Sequence, residues 1–146
     1  MTPKEVSAAI DGAFLAYSNG DFDGFVNCFA EDLHYADTGG GPPIEGRVAF
    51  RDYARGWFNA CSDRRIVPLR KIISGNEAAV ELHHTGTHDR APMYGLEPAG
   101  AKIDFHFAAT LRLEGGQVTE LKAWYSPLST MQAIGLLGEL PNRPTS

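Results

Sequence analysis

Ile103-Asp104-Phe105-His106-Phe107-Ala108-Ala109-Thr110-Leu111-Arg112-Leu113 places an apolar residue at every second position without a break. Period-two alternation over this length is that of a strand with one buried face. Upstream, Ala78–His88 has the same period and places Val80, Leu82, His84, Gly86 and His88 on one face. Ile66–Ser74 is a further strand. Pro68 within it indicates an edge or a bulge, because proline cannot donate to a ladder. Gly75-Asn76 turns the chain between those two strands, and Asp89–Gly100, rich in Pro and Gly, is a loop. Downstream, Glu114-Gly115-Gly116 turns into a last strand, Val118–Ser126.

The N-terminal half reads differently, because its apolar period is 3.6. Thr2 can cap a helix, Pro3 suits its first position, and Glu5 completes a capping box. Val6, Ile10, Ala13, Phe14 and Tyr17 then form one face. Asn19-Gly20-Asp21 ends that helix, and Asp21 can cap a second one whose Phe22, Phe25, Val26 and Phe29 form an aromatic face. Leu33–Asp37 reads as a short strand, and Thr38–Gly46 must be a loop. Phe50, Tyr53, Ala54, Trp57 and Ala60 mark a third helix. Met131–Leu137 can form a short helix, and 141–146 a frayed tail. Helices followed by a run of strands indicate α+β. An antiparallel sheet twisted around helices leaves a concave apolar face, a natural small-molecule pocket.

The chain has 146 residues, which suits one domain, 1–140, followed by the tail. With 43% hydrophobic and 21% charged residues it is neither disordered, collagen-like nor a coiled coil. A net charge of −5 argues against nucleic acid as a partner. The basic stretch Arg64, Arg65, Arg70 and Lys71 is interrupted by apolar residues and reads as the solvent face of a strand. Cys28 and Cys61 are too few for a disulfide scaffold and read as buried thiols. No apolar run is long enough for a bilayer and no signal core is visible, so a cytoplasmic location without membrane contact is the default expectation.

Asn19-Gly20-Asp21-Phe22-Asp23-Gly24-Phe25 and Phe29-Ala30-Glu31-Asp32, with this order of elements, resemble the nuclear transport factor 2-like superfamily. Phe29–Gly46 is similar to the corresponding part of ketosteroid isomerase. His84-Thr85-Gly86-Thr87-His88, Gly95-Leu96-Glu97-Pro98-Ala99-Gly100 and Ala133-Ile134-Gly135 resemble the SnoaL-like polyketide cyclases. The resemblance implies a cone-shaped antiparallel sheet curved around three helices, and a homodimer. It places Asp37 at the general base of ketosteroid isomerase. That enzyme's oxyanion-hole tyrosine falls near Ala13 and its protonated aspartate near Ala109. The acid/base aspartate of the polyketide cyclases falls near Ser126.

Asp37 shares a face with Leu33 and Tyr35. At the mouth of an apolar pocket, loss of hydration would make it a usable general base. The competing reading is an Asx-type turn into Thr38-Gly39. His84 and His88 lie on the prospective pocket wall as further catalytic candidates, with a bend at Gly86 needed for them to cooperate. His83 points outward, His106 lies on the polar face of its strand, and His34 is off-face. No metal is expected, because no spacing such as His-Glu-x-x-His appears. Tyr17, Tyr53, Trp57, Trp124, Phe25 and Tyr35 are the candidate substrate-binding residues. The expectation is a cofactor-independent enzyme that moves a proton next to a carbonyl of a hydrophobic, polyketide-like small molecule. The alternative is a non-catalytic binder, favoured by Ala13, Ala109 and Ser126. An epoxide hydrolase is a weaker third reading, since no inward Asp-Arg-Asp set is found on the strands.

Overall fold

The computed structural model describes residues 1–138; the tail at 141–146 lies outside the described residues. The order of elements is α1 (Pro3–Ser18), α2 (Phe22–Asn27), β1 (Phe29–Asp37), β2 (Ile44–Glu45), α3 (Arg47–Ala60), β3 (Arg65–Ser74), β4 (Glu77–His88), β5 (Ala101–Glu114), β6 (Gln117–Trp124) and α4 (Leu128–Ala133). One six-stranded sheet runs β2-β1-β6-β5-β4-β3. This is the expected α+β architecture, with α4 as a fourth helix beginning slightly earlier than the sequence pattern suggested.

The caps form as the sequence dictates. Thr2 Oγ1 accepts the Glu5 amide at 3.2 Å, and Asp21 Oδ1 accepts the Gly24 amide at 2.9 Å. Each satisfies a donor that the first helical turn leaves without a partner. Phe29 does not extend α2. It opens β1, paired with Val118, and still reaches the same core: its ring lies 5.1 Å from Phe25 and 4.5 Å from Phe50.

β3 to β6 are antiparallel neighbours, but β1 pairs with β6 in parallel, with Asp37 opposite Ala123. The sheet is therefore mixed, and this long-range pairing brings the end of β1 beside the end of β6. Pro68 serves both expected roles. β3 is an edge strand, and its register shifts between Pro68 and Arg70, leaving Leu69 unpaired and exposed.

β4 turns Ala78, Val80, Leu82, His84, Gly86 and His88 inward, the face read from its alternation. Gly86 allows a close approach: a Cβ there would lie 2.9 Å from Cys61 Sγ. Arg64 departs from the expected solvent face, being only 7% exposed. Its Nε donates to the Phe58 carbonyl at 2.6 Å and its guanidinium stacks 3.7 Å over the Phe58 ring, so it closes the C-terminal turn of α3. Cys61 is buried and Cys28 partly so, both free thiols. Among the described residues, no helix is long and apolar enough to cross a membrane.

Candidate functional site

Helices α1, α2 and α3 cover the concave side of the sheet without filling it. A cavity of about 720 Å³, its open mouth included, remains between them. Phe14 of α1, Phe25 of α2 and Phe29 of β1 form its buried end, and Phe105, Phe107 and Ala109 of β5 form a wall. The partly exposed Tyr53, Trp57 and Tyr125 mark its open side. Such a lining desolvates an apolar ligand and leaves few places for its polar atoms.

The polar groups gather at Asp37, which is not itself among the lining residues but is hydrogen-bonded to Tyr35 and Tyr53, which are. Its Oδ2 accepts from the Tyr35 phenol at 2.9 Å and from the Tyr53 phenol at 2.9 Å. Its Oδ1 accepts the Gly39 amide at 2.9 Å. Both readings of Asp37 are thus realised, one on each oxygen: an Asx-type turn and a tyrosine-ringed carboxylate. The Tyr125 phenol stands over Gly39, where a Cβ would collide with its hydroxyl. Burial first, and then the neighbouring phenol and carboxylate, push Tyr35 well above the ordinary phenol range. Burial also raises Tyr53 and Tyr125. All three therefore remain protonated donors at neutral pH.

His84 stands deeper on the same wall, 4% exposed. Its ring meets the edges of Phe105 at 5.0 Å, Tyr17 at 6.1 Å and Trp57 at 6.3 Å. Its Nε2 has no hydrogen-bond partner. Burial, with a smaller contribution from His83, lowers its pKa to about 4. It is a neutral imidazole that offers one polar atom within an aromatic surrounding.

Two sequence-based candidates lie elsewhere. His88 is buried at 1% exposure but is not part of the cavity lining. Its Nε2 donates to the Ala91 carbonyl at 2.7 Å, which pins the start of the β4–β5 loop. With that nitrogen committed as a donor, His88 is a satisfied core residue. Trp124 is 46% exposed on the outer face, with the Lys122 ammonium 4.0 Å over its ring. The β6 face shared by Lys122, Trp124 and Ser126 is the outer one, because Leu121 and Ala123 take the inward positions. Tyr17, Phe25, Tyr35, Tyr53 and Trp57 do line the cavity.

Tyr125 is the site residue that the sequence reading passed over. The signal was present, since Tyr125 continues the inward series Leu121, Ala123 just past the end of β6. Tyr94 was also missed. Its ring meets Trp57 edge-on at 5.9 Å, so the β4–β5 loop reaches the cavity's open side. Tyr94 and Gly95 both have positive φ, 49° and 79°, between the bridged residues Met93 and Leu96. Positive φ at both central positions is the signature of a type I′ turn.

A curved mixed sheet around an apolar cavity, with its polar groups at one end, defines a small α+β protein of the ketosteroid isomerase-like fold. Solved structures agree. A protein from Jannaschia sp. CCS1 described as a SnoaL-like polyketide cyclase superimposes with a TM-score of 0.81 at 18% identity, over 94% of this chain and 98% of that one. A protein of ketosteroid isomerase-like fold from Catenulispora acidiphila DSM 44928, in complex with trimethylamine, gives 0.69 at 20% identity, over 92% and 95%. The epoxide hydrolase/cyclase-like enzyme SalBIII, which has a role in pyran ring formation in the polyether salinomycin, gives 0.70 at 21% identity, over 83% and 90%. At these identities the likeness is one of fold. The chain belongs to the SnoaL-like domain family, whose model matches residues 10–121. No curated protein sequence matches it.

Proposed function

We propose that the protein is a cofactor-independent acid/base catalyst of the cyclase or isomerase type, acting on a hydrophobic, polyketide-like carbonyl compound. The observation that carries this reading is Asp37 Oδ2, held by the Tyr35 and Tyr53 phenols beside an otherwise apolar cavity. A carboxylate has about four acceptor positions. Three are occupied, two on Oδ2 and one on Oδ1. The remaining one, on Oδ1, receives a proton from the carbon next to the substrate carbonyl, while the two phenols hold Oδ2. As the C–H bond breaks, its electron pair moves into the enolate, and the Tyr125 phenol, whose proton Asp37 does not take, donates to the developing oxyanion. The aromatic walls exclude water and hold the hydrocarbon part of the substrate. His84 Nε2 meets a polar atom at the inner end.

This assignment departs from both relatives in its donors. Ala109 lies within the cavity lining and carries no hydrogen-bonding side chain. Ser126 is exposed and accepts the Leu128 amide at 3.4 Å, a short turn into α4. The phenols of Tyr35, Tyr53 and Tyr125 take the donor's place here. Ala109 also favours a second reading, a non-catalytic binder of the same class of molecule. The outer sheet face, with Trp124 and Ile72 exposed, suits a homodimer contact, which light scattering at micromolar concentration tests.

The deciding experiment screens polycyclic ketones and polyketide-like compounds for binding and for product by mass spectrometry. Turnover that Asp37→Asn lowers by at least ~10²-fold, with ligand binding retained, supports the catalyst. Saturable binding without product supports the binder.

A further inference from the structure

The alternation of β4 that turns His84 into the cavity turns its neighbour His83 to the opposite, outer face of the sheet. The ladder sets His83 directly across from His106 of β5. Their imidazole rings lie parallel, with 4.2 Å between centroids and 3° between planes. Asp104 shares that face of β5 two residues before His106. Its Oδ1 lies 2.7 Å from His83 Nε2. One nitrogen from each histidine and one carboxylate oxygen of Asp104 all lie within 4.8 Å of one another.

This cluster has chemistry to spare. An imidazole that carries no second proton keeps one ring-nitrogen lone pair, the atom a metal ion takes. Two imidazoles and a carboxylate are a donor set suited to zinc, copper or nickel, and poorly suited to magnesium or calcium. In a tetrahedral zinc site, bonds of about 2.0–2.2 Å set the donor atoms roughly 3.3 Å apart. Rotation of exposed side chains closes the remaining gap of roughly 1.5 Å, while the backbone under them is fixed by cross-strand hydrogen bonds. No helical ligand motif is involved, because pairing of β4 with β5 assembles the site from residues 21 apart in the chain.

We propose that His83, His106 and Asp104 form a binding site for a borderline divalent cation such as Zn²⁺ on the outer face of the sheet, with water completing the coordination. The site is separate from the cavity: His83 and His84 are sequence neighbours on opposite faces of one strand. Its test is therefore independent of any substrate.

The experiment is calorimetric titration of the untagged, chelator-dialysed full chain with ZnCl₂ at neutral pH, alongside His106→Ala, Asp104→Asn and His34→Ala. His34 is the control, an exposed histidine on another strand with its own carboxylate partner, Glu45, at 2.6 Å. The expected result is one Zn²⁺ per chain, weakened at least tenfold in His106→Ala and in Asp104→Asn, unchanged in His34→Ala, with no heat from MgCl₂. Anomalous scattering at the zinc edge places the ion between the three side chains. His106 and Asp104 are exposed, so both variants fold, which thermal melting checks. Absence of zinc binding, equal affinity in His106→Ala, or an anomalous peak elsewhere overturns the proposal.

Discussion

Asp37 Oδ2 accepts the Tyr53 phenol at 2.9 Å, a hydrogen bond between residues 16 apart that ties the last residue of β1 to the middle of α3. Tyr35 reaches the same oxygen from within β1. The carboxylate is therefore oriented by two elements at once and cannot swing freely. A group held this way is preorganised for one approach direction.

Removing the hydroxyl while keeping the ring separates the roles of these phenols. Tyr53→Phe is expected to lower turnover of an accepted substrate by up to ~10²-fold, because Asp37 Oδ2 loses one of the two hydrogen bonds that position it. Its loss of stability should be only about 1 kcal/mol, since the ring still packs against Tyr35 at 5.3 Å. Urea denaturation and steady-state kinetics on one preparation read both quantities.

His84 predicts a stability that depends on pH. Its folded pKa, about 4, lies below the ordinary 6.5. Between those values the unfolded chain binds the proton and the folded chain does not, so stability rises with pH across the window. The contribution is complete above about 6.5 and disappears as pH falls toward 4. Its full size is roughly 3 kcal/mol. In His84→Leu the total change in stability between pH 4 and 6.5 should be smaller than in wild type by that amount, as read by urea midpoints at several pH values.

The two tryptophans report on different faces. Trp57 lines the cavity and Trp124 stands on the outer face under Lys122. A hydrophobic ligand should quench Trp57 fluorescence in Trp124→Phe and leave Trp57→Phe nearly silent. Trp57→Ala should weaken binding about tenfold, the scale of 1.4 kcal/mol, with Trp124→Ala within twofold. Quenching that survives in Trp57→Phe would move the ligand out of this cavity.

Gly86→Ala tests the packing behind His84. The new methyl would lie 2.9 Å from Cys61 Sγ and 3.0 Å from its Cβ. Overpacking of this kind costs about 1–3 kcal/mol. Adding Cys61→Ala should recover part of the loss, because it removes the sulfur but not the Cβ. A drop in Tm for the single variant that the double variant partly reverses is the expected pattern.

Much of the site was legible locally. Asp37 is singled out by an alternating strand that runs into a glycine-rich loop, and Tyr17, Phe25, Tyr35, Tyr53 and Trp57, which line the cavity, by helical or strand periodicity. Their faces were read correctly because each element has one strongly apolar side. Trp124 and His88 were misplaced for different reasons. Trp124 is large and apolar, yet Leu121 and Ala123 compete for the inward face of β6 and take it. His88 does lie on the buried face of β4, but its partner is a loop carbonyl at Ala91, which no periodicity describes.

The sequence by itself determined the α+β order of elements, the caps of α1 and α2, the disturbance at Pro68 and the inward face of β4. Those features depend on residues close together in the chain, where capping chemistry and side-chain period act directly. The tertiary structure alone decided that β1 runs parallel to β6, that Tyr125 stands beside Asp37, and that His83, His106 and Asp104 converge on one face. Those are matters of register between distant segments. Period-two alternation states which residues share a face; which strands lie side by side, and in what register, is set by the competition of every apolar face for one core.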